Sequence, residues 1–302
     1  MPRYRTSRPV PLLGLALLLL LLLMLATLLL PSGDKARKAP SSDTEGPAAR
    51  DLVWSDEFDG PAGAPPDPRH WTHEVGGGGW GNAELQFYTD STENSALDGE
   101  GHLLLTTHAV DPASSGLECW YGPCVYTSAR LVSEHKRTLQ YGRVEARVQV
   151  PTGAGLWPAV WMLGTDIREV GWPQSGEIDV MEFVGKSPNE VFGTIHGPGY
   201  AGGESFSGAQ DLGTPVGADW HDFALEWSPG RIAWEVDGVR YHEAAPEDVA
   251  PDAWVFDHPF FLLLNLAVGG NFGGDVAADV QFPQTLTIDH IRVYAPEGTK
   301  SG

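Results

Sequence analysis

RVEARVQV, residues 143–150, alternates without exception: Val144, Ala146, Val148 and Val150 are apolar, while Arg143, Glu145, Arg147 and Gln149 are polar. A period of two places the first set on one face of an extended strand and the second on the other, the mark of a half-buried strand. The pattern recurs downstream. In HDFALEW (221–227), Phe223, Leu225 and Trp227 share a face. The turn Ser228-Pro229-Gly230 follows, then Ile232, Trp234 and Val236, then Asp237-Gly238 and another strand start, which together read as a meander of hairpins. PFFLLLNLAV (259–268) is continuously apolar and suits a strand buried on both faces, and TLTIDHIRVYA (285–295) reads as a closing strand. No stretch past residue 50 sustains a 3.6-residue period, and 37 Gly and 24 Pro punctuate the short runs. These signals predict an all-β fold, an antiparallel sandwich of jelly-roll type without internal repeats.

The first fifty residues differ. Arg3, Arg5 and Arg8 precede an almost unbroken apolar run from Leu12 to Leu30. That run matches the about 20 residues needed to span a bilayer. It exceeds a usual signal-peptide core, and no small-x-small cleavage site follows it. Residues 1–30 are therefore expected to be a retained signal anchor, with a cleaved signal peptide as the alternative. Lys35, Arg37 and Lys38 balance the N-terminal arginines, so charge does not set the orientation. Residues 31–50, rich in Pro, Ala, Ser and charge, read as a flexible linker. Residues 51–298 are expected to form one domain, located outside the cytoplasm.

Charge restricts what this domain binds. The first fifty residues hold seven of the 19 Lys+Arg and three of the 40 Asp+Glu, leaving 12 basic and 37 acidic residues and a formal charge near −25. Such a surface repels nucleic acid and polyanionic polysaccharides, and a neutral polymer suits it better. The two cysteines, Cys119 and Cys124, flank a Gly-Pro turn in ECWYGPCVY, and outside the cytoplasm they are expected to be bridged.

The chemistry is concentrated in PQSGEIDVMEFVG, residues 173–185. On a helix, Glu177 and Glu182 would point about 140° apart and could not cooperate. On a strand, Glu177 and Asp179 share a face, and Glu182 joins them only if one extra residue, a β-bulge, is inserted at Val180-Met181. The two glutamate Cα atoms would then lie about 13 Å apart. Long side chains leaning together could close that to the ~5–5.5 Å of a retaining glycosidase pair. Three carboxyls so close cannot all ionise, so at least one should hold its proton at neutral pH. A solvated acidic edge or a calcium site would use the same residues. The flanking run GAGLWPAVWML (153–163) and eleven tryptophans in the chain favour a sugar cleft, because indole faces stack on pyranose rings.

These blocks resemble glycoside hydrolase family 16, and within it the laminarinase-like endo-β-1,3-glucanases. The resemblance covers residues 52–296 through WSDEFDG (54–60), GWGNAELQFYT (79–89), YTSARL (126–131), YGRVEARVQVP (141–151), GLWPAVWMLG (155–164), GEIDVMEF (176–183), GTIHGPGY (193–200), WHDFALEW (220–227) and IDHIRVYA (288–295). It implies a concanavalin A-like sandwich of two antiparallel sheets with a concave cleft. It also implies Glu177 as nucleophile, Glu182 as general acid/base and Asp179 as the helper tuning the nucleophile. Asn82, Arg130, Trp157, Trp161 and His196 match positions lining the glycone side. Glu57, the Gly101 carbonyl and Asp289 match a structural calcium site, a salt-bridged or capping role being the alternative, and no cofactor is implied for catalysis. The expected partner is a neutral β-glucan acted on by a monomer, with no nucleic acid and a membrane reached only through the N-terminal segment. Mixed-linkage glucan, galactan or transglycosylation are the competing activities. Non-catalytic β-glucan-binding relatives typically lack one or both glutamates, which this chain retains.

Overall fold

The computed structural model describes residues 50–298, so the anchor and linker expectations for residues 1–50 lie almost wholly outside it. A ten-stranded and an eight-stranded sheet pack face to face, with a separate two-stranded hairpin. The main path of the first runs Val239–Ala244, Arg231–Val236, His221–Ser228, Gly142–Gln149, Gln284–Tyr294, Leu103–Ala109, Tyr126–Ser128, Gln86–Tyr88. The second runs Phe206–Asp211, Glu190–His196, Glu177–Glu182, Leu156–Gly164, Phe260–Val268, Arg130–Val132, Thr72–His73. All pairings are antiparallel except Gln86–Tyr88 with Tyr126–Ser128.

The alternation at 143–150 has the predicted consequence: Val144, Ala146 and Val148 are buried in the core between the sheets. The 221–244 meander is three adjacent strands, and its Asp237-Gly238 turn has positive φ at both residues (51° and 75°), as a two-residue hairpin of matching twist requires. All nine residues of Phe260–Val268 are buried. The even-numbered ones from 260 to 266 face the core, while Phe261 and Leu263 join Val132 and Leu163 in a small cluster on the opposite face, under Trp161. Helix is confined, among the described residues, to short turns, none long and apolar enough to cross a membrane.

Glu57, Gly101 and Asp289 meet expectation only in part. Both carboxylate oxygens of Glu57 accept from Arg292, at 2.9 and 2.7 Å, and this pairing holds the carboxyl below its ordinary range. Asp289 lies 3.5 Å from Arg147 and 3.2 Å from His290. The salt-bridged alternative therefore describes the Glu57 side chain. Near Gly101 it is the Glu57 backbone oxygen, with Asp59 Oδ1, that lies 3.9 Å from where a Cβ would stand.

Candidate active site

Strand Glu177–Glu182 carries the bulge. Against Leu156–Gly164, Val160 opposes Met181 but Trp161 opposes Asp179, and against Glu190–His196 the register slips between Asp179 and Glu182. One extra residue thus stands in this strand against both of its neighbours. Ile178, Val180 and Met181 all enter the core, at 0 %, 1 % and 0 % exposure. A slip that exposed Met181 would forfeit about 1.5–3 kcal/mol of side-chain burial, so packing holds the irregular register. As a result Glu177, Asp179 and Glu182 stand together on the face turned away from the core.

The strand is propped from beneath. Trp234, fully buried on the opposite sheet, donates its indole N–H to the Asp179 carbonyl at 2.7 Å. Space for this ring is left by Gly193, where a Cβ would come within 2.4 Å of Trp234 Cδ1. The backbone oxygen beside the bulge is therefore satisfied where the regular ladder is interrupted.

The three carboxyls are held by different partners. Trp172 donates to Glu177 Oε2 at 2.8 Å. Trp157 donates to Glu182 Oε1 at 3.0 Å, and Thr194 Oγ1 to Glu182 Oε2 at 3.3 Å. Asp179 stands beside Glu177, close enough for its charge to raise the Glu177 carboxyl, and Asp179 Oδ2 is buried without a hydrogen-bond partner among the described residues. His196 Nε2 lies 3.2 Å from Asp179 Oδ2 and 3.8 Å from Glu177 Oε1. Its Nδ1 accepts from the Gly202 N–H at 3.0 Å, which leaves the ring proton on Nε2, facing the carboxylates. Burial and then mutual repulsion push Glu177 and Glu182 up to about 8, and burial pushes Asp179 to about 8 as well. The trio therefore retains protons at neutral pH, and its titration belongs to the set rather than to one residue. Among the described residues, Glu177, Asp179 and His196 form the one cluster with metal-ligand spacing.

The cleft continues across the sheet. Trp161 donates to Asn265 Oδ1 at 2.7 Å, Asn265 Nδ2 to Tyr88 OH at 3.1 Å, and Tyr88 OH to Glu84 Oε2 at 3.0 Å. Gln86 reaches the same Glu84 oxygen at 2.6 Å and Asn82 the other at 3.5 Å. The Arg130 guanidinium lies 4.7 Å from the ring centroids of both Trp80 and Trp161 and donates to Glu74 at 2.6 Å. Asn82, Arg130 and Trp161 are thus linked through contacts with Glu84, Asn265 and one another, while Trp157 and His196 reach the carboxyls themselves. Sequence reasoning passed over Glu74, Glu84, Trp172, Thr194 and Asn265. Glu84 sits inside the quoted block GWGNAELQFYT, and Trp172 immediately precedes PQSGEIDVMEF, so position beside the motifs was the available signal.

The chain matches the profile of glycosyl hydrolases family 16 over residues 82–292. It is 41 % identical over 274 residues to a β-glucanase of Rhodothermus marinus, covering 86 % of this chain and 88 % of that protein. It is 39 % identical over 270 residues to glucan endo-1,3-β-glucosidase A1 of Niallia circulans, covering 82 % of this chain but 38 % of that longer protein. Among solved structures, the catalytic domain of an endo-1,3-β-glucanase (laminarinase) from Thermotoga petrophila superposes with a TM-score of 0.76 at 44 % identity, covering 83 % of this chain and 99 % of that one.

Proposed function

This chain belongs to glycosyl hydrolase family 16, and on that premise we propose that residues 51–298 cleave internal β-1,3-glucosidic bonds of a laminarin-like glucan with retention of configuration. The observation that carries the reading is the bulge at Val180-Met181, which brings Glu177, Asp179 and Glu182 to one face.

Glu177 is the nucleophile. It is the least covered of the three carboxyls, which leaves it open to the sugar, and the Trp172 N–H stabilises its ionised form. Glu182, kept protonated by burial, gives its proton to the departing glycosidic oxygen while Glu177 attacks C1. The C1–oxygen bond breaks and a covalent glycosyl-enzyme forms. Glu182, now ionised, takes a proton from water, whose oxygen displaces Glu177 and regenerates both groups. Asp179, beside Glu177, tunes its charge. Asn82, Arg130, Trp157, Trp161 and His196 hold the sugar chain. A neutral glucan is also the polymer least repelled by a domain of formal charge near −25.

We place the domain outside the cytoplasm, tethered through residues 1–30. If calcium binds, the backbone carbonyls of Glu57 and Gly101 with the Asp289 carboxyl would hold it, as a purely structural ion.

Proton NMR of the products of laminarin tests the reaction: the β-anomer should appear first. An initial α-anomer would mean inversion and overturn the role given to Glu177. Glu177→Ser should abolish hydrolysis yet still couple an α-glucosyl fluoride to an acceptor.

A further inference from the structure

The hairpin formed by Glu118–Cys119 and Gly122–Pro123 lies outside the machinery described so far, and it is closed by the Cys119–Cys124 disulfide. It clamps onto the glycine-rich loop 76–82. The Trp120 backbone N–H donates to Gly77 O at 2.8 Å, its indole N–H to Glu84 O at 2.8 Å, and the Tyr121 hydroxyl to Leu85 O at 2.7 Å. Docking depends on side chains that the loop lacks. A Cβ at Gly77 would stand 2.7 Å from Cys119 Sγ, and one at Gly79 2.8 Å from Trp120 Cδ1.

Despite these attachments Trp120 is 55 % exposed. A lone exposed aromatic needs no explanation in itself. This one differs in having its N–H satisfied and its backbone fixed, so the ring is presented to solvent already immobilised. A binding partner would lose little side-chain freedom in using it.

Its place in the cleft identifies the partner. Glu84 bridges to Gly269 and Leu85 N–H donates to Val268 O at 2.8 Å, so the segment that Trp120 grips lies alongside strand Phe260–Val268. That segment stands three strand spacings, about 14 Å, from the catalytic strand. Arg130 lies 4.7 Å from the rings of both Trp161 and Trp80, and Gly79, next to Trp80 in the chain, packs against Trp120. Trp120 is too far away to touch the bond being cut, but it is linked back to Trp161 through Gly79, Trp80 and Arg130.

We propose that Trp120 is an outer sugar-binding platform, whose exposed ring stacks on a glucosyl unit of the same β-glucan chain beyond Arg130 and Trp80 and so favours long substrates. This rests on the glucan reading of the cleft. The test compares kcat/KM for a β-1,3-linked glucose hexamer with kcat/KM for an aryl glycoside of the β-1,3-linked disaccharide. Trp120→Ala should lower the hexamer-to-disaccharide ratio by about two- to tenfold, the size of one aromatic contact. Trp120→Phe, which keeps a ring but not the N–H, should hold the ratio within about twofold of the parent, as stacking requires. An unchanged ratio in Trp120→Ala overturns the platform. Equal losses on both substrates in both variants would make Trp120 a strut for the loop and overturn it too. A parent protein that cleaves neither substrate would instead overturn the glucan reading itself.

Discussion

Replacing Trp157 by Phe removes one hydrogen bond from the proposed acid while keeping an aromatic ring. The indole N–H lies 3.0 Å from Glu182 Oε1 and stabilises the carboxylate over the neutral acid. Hydrogen bonds to charged groups contribute about 1.5–3 kcal/mol, and one pKa unit corresponds to about 1.4 kcal/mol, so the ceiling is about one to two units. Thr194 Oγ1 still donates to the other oxygen at 3.3 Å. A rise of about one unit is therefore expected. Glu182 already stands near 8 because of burial, and losing a donor to its charged form raises it further. Since the acid must be protonated, the basic limb of kcat/KM against pH should move upward by that amount. The control is Trp161→Phe, whose indole serves Asn265 rather than a carboxylate. It should raise KM and leave the limb in place. A limb that stays fixed or moves downward in Trp157→Phe, or that moves equally in the control, would refute the assignment of Trp157 to Glu182.

Asp179→Asn should stabilise the fold at alkaline pH. Asp179 is raised from 3.8 to about 8 by burial, so its stability contribution is whole below 3.8 and falls as pH rises through 8. The variant's gain in Tm should be absent near pH 3.5 and largest above pH 8, at about 2–4 °C per kcal/mol; a gain independent of pH would defeat the argument. Deleting Met181 removes the extra residue and leaves Glu-x-Asp-x-Glu in regular alternation, with all three carboxyls still on one face, so hydrolysis of laminarin should survive, and its complete loss in a folded variant would show that face parity alone does not account for the bulge. Arg130→Lys forfeits the planar contact with Trp80 and Trp161, and KM for laminarin should rise several-fold while the pH profile keeps its shape. Alkylation of the denatured, unreduced protein should label neither Cys119 nor Cys124, and labelling of both would contradict the bridge.

Much of this was legible in the residues because side-chain periodicity is a local property. The apolar residues of 143–150 faced the core as written, and the continuous apolar run is buried on both faces over 260–268. The bulge was legible too, since E-x-D-x-x-E can share a strand face only with one residue added, and Val180-Met181 supplied two apolar side chains for the core. The cysteines, five residues apart, could be paired without reference to the rest of the chain. Glu57 was less clear, because its Arg292 partner is 235 residues away. Only strand order brings Asp56 opposite Ile291 and Ser55 opposite Arg292.

The sequence by itself determined the two-layer β architecture, the strand carrying the carboxyls and the parity defect within it. All three follow from alternation along a few consecutive residues. The tertiary structure alone decided what each carboxyl meets. Trp172 and His196 attend Glu177, Trp157 and Thr194 attend Glu182, and Trp234 from the opposite sheet supports Asp179 from beneath. It also decided that Glu84, silent in the sequence, sits at the end of a hydrogen-bonded line through Tyr88 and Asn265 to Trp161. Such partnerships depend on register between strands distant in sequence, and on burial that strengthens a carboxyl's interactions with its neighbours, and neither is written in a local pattern.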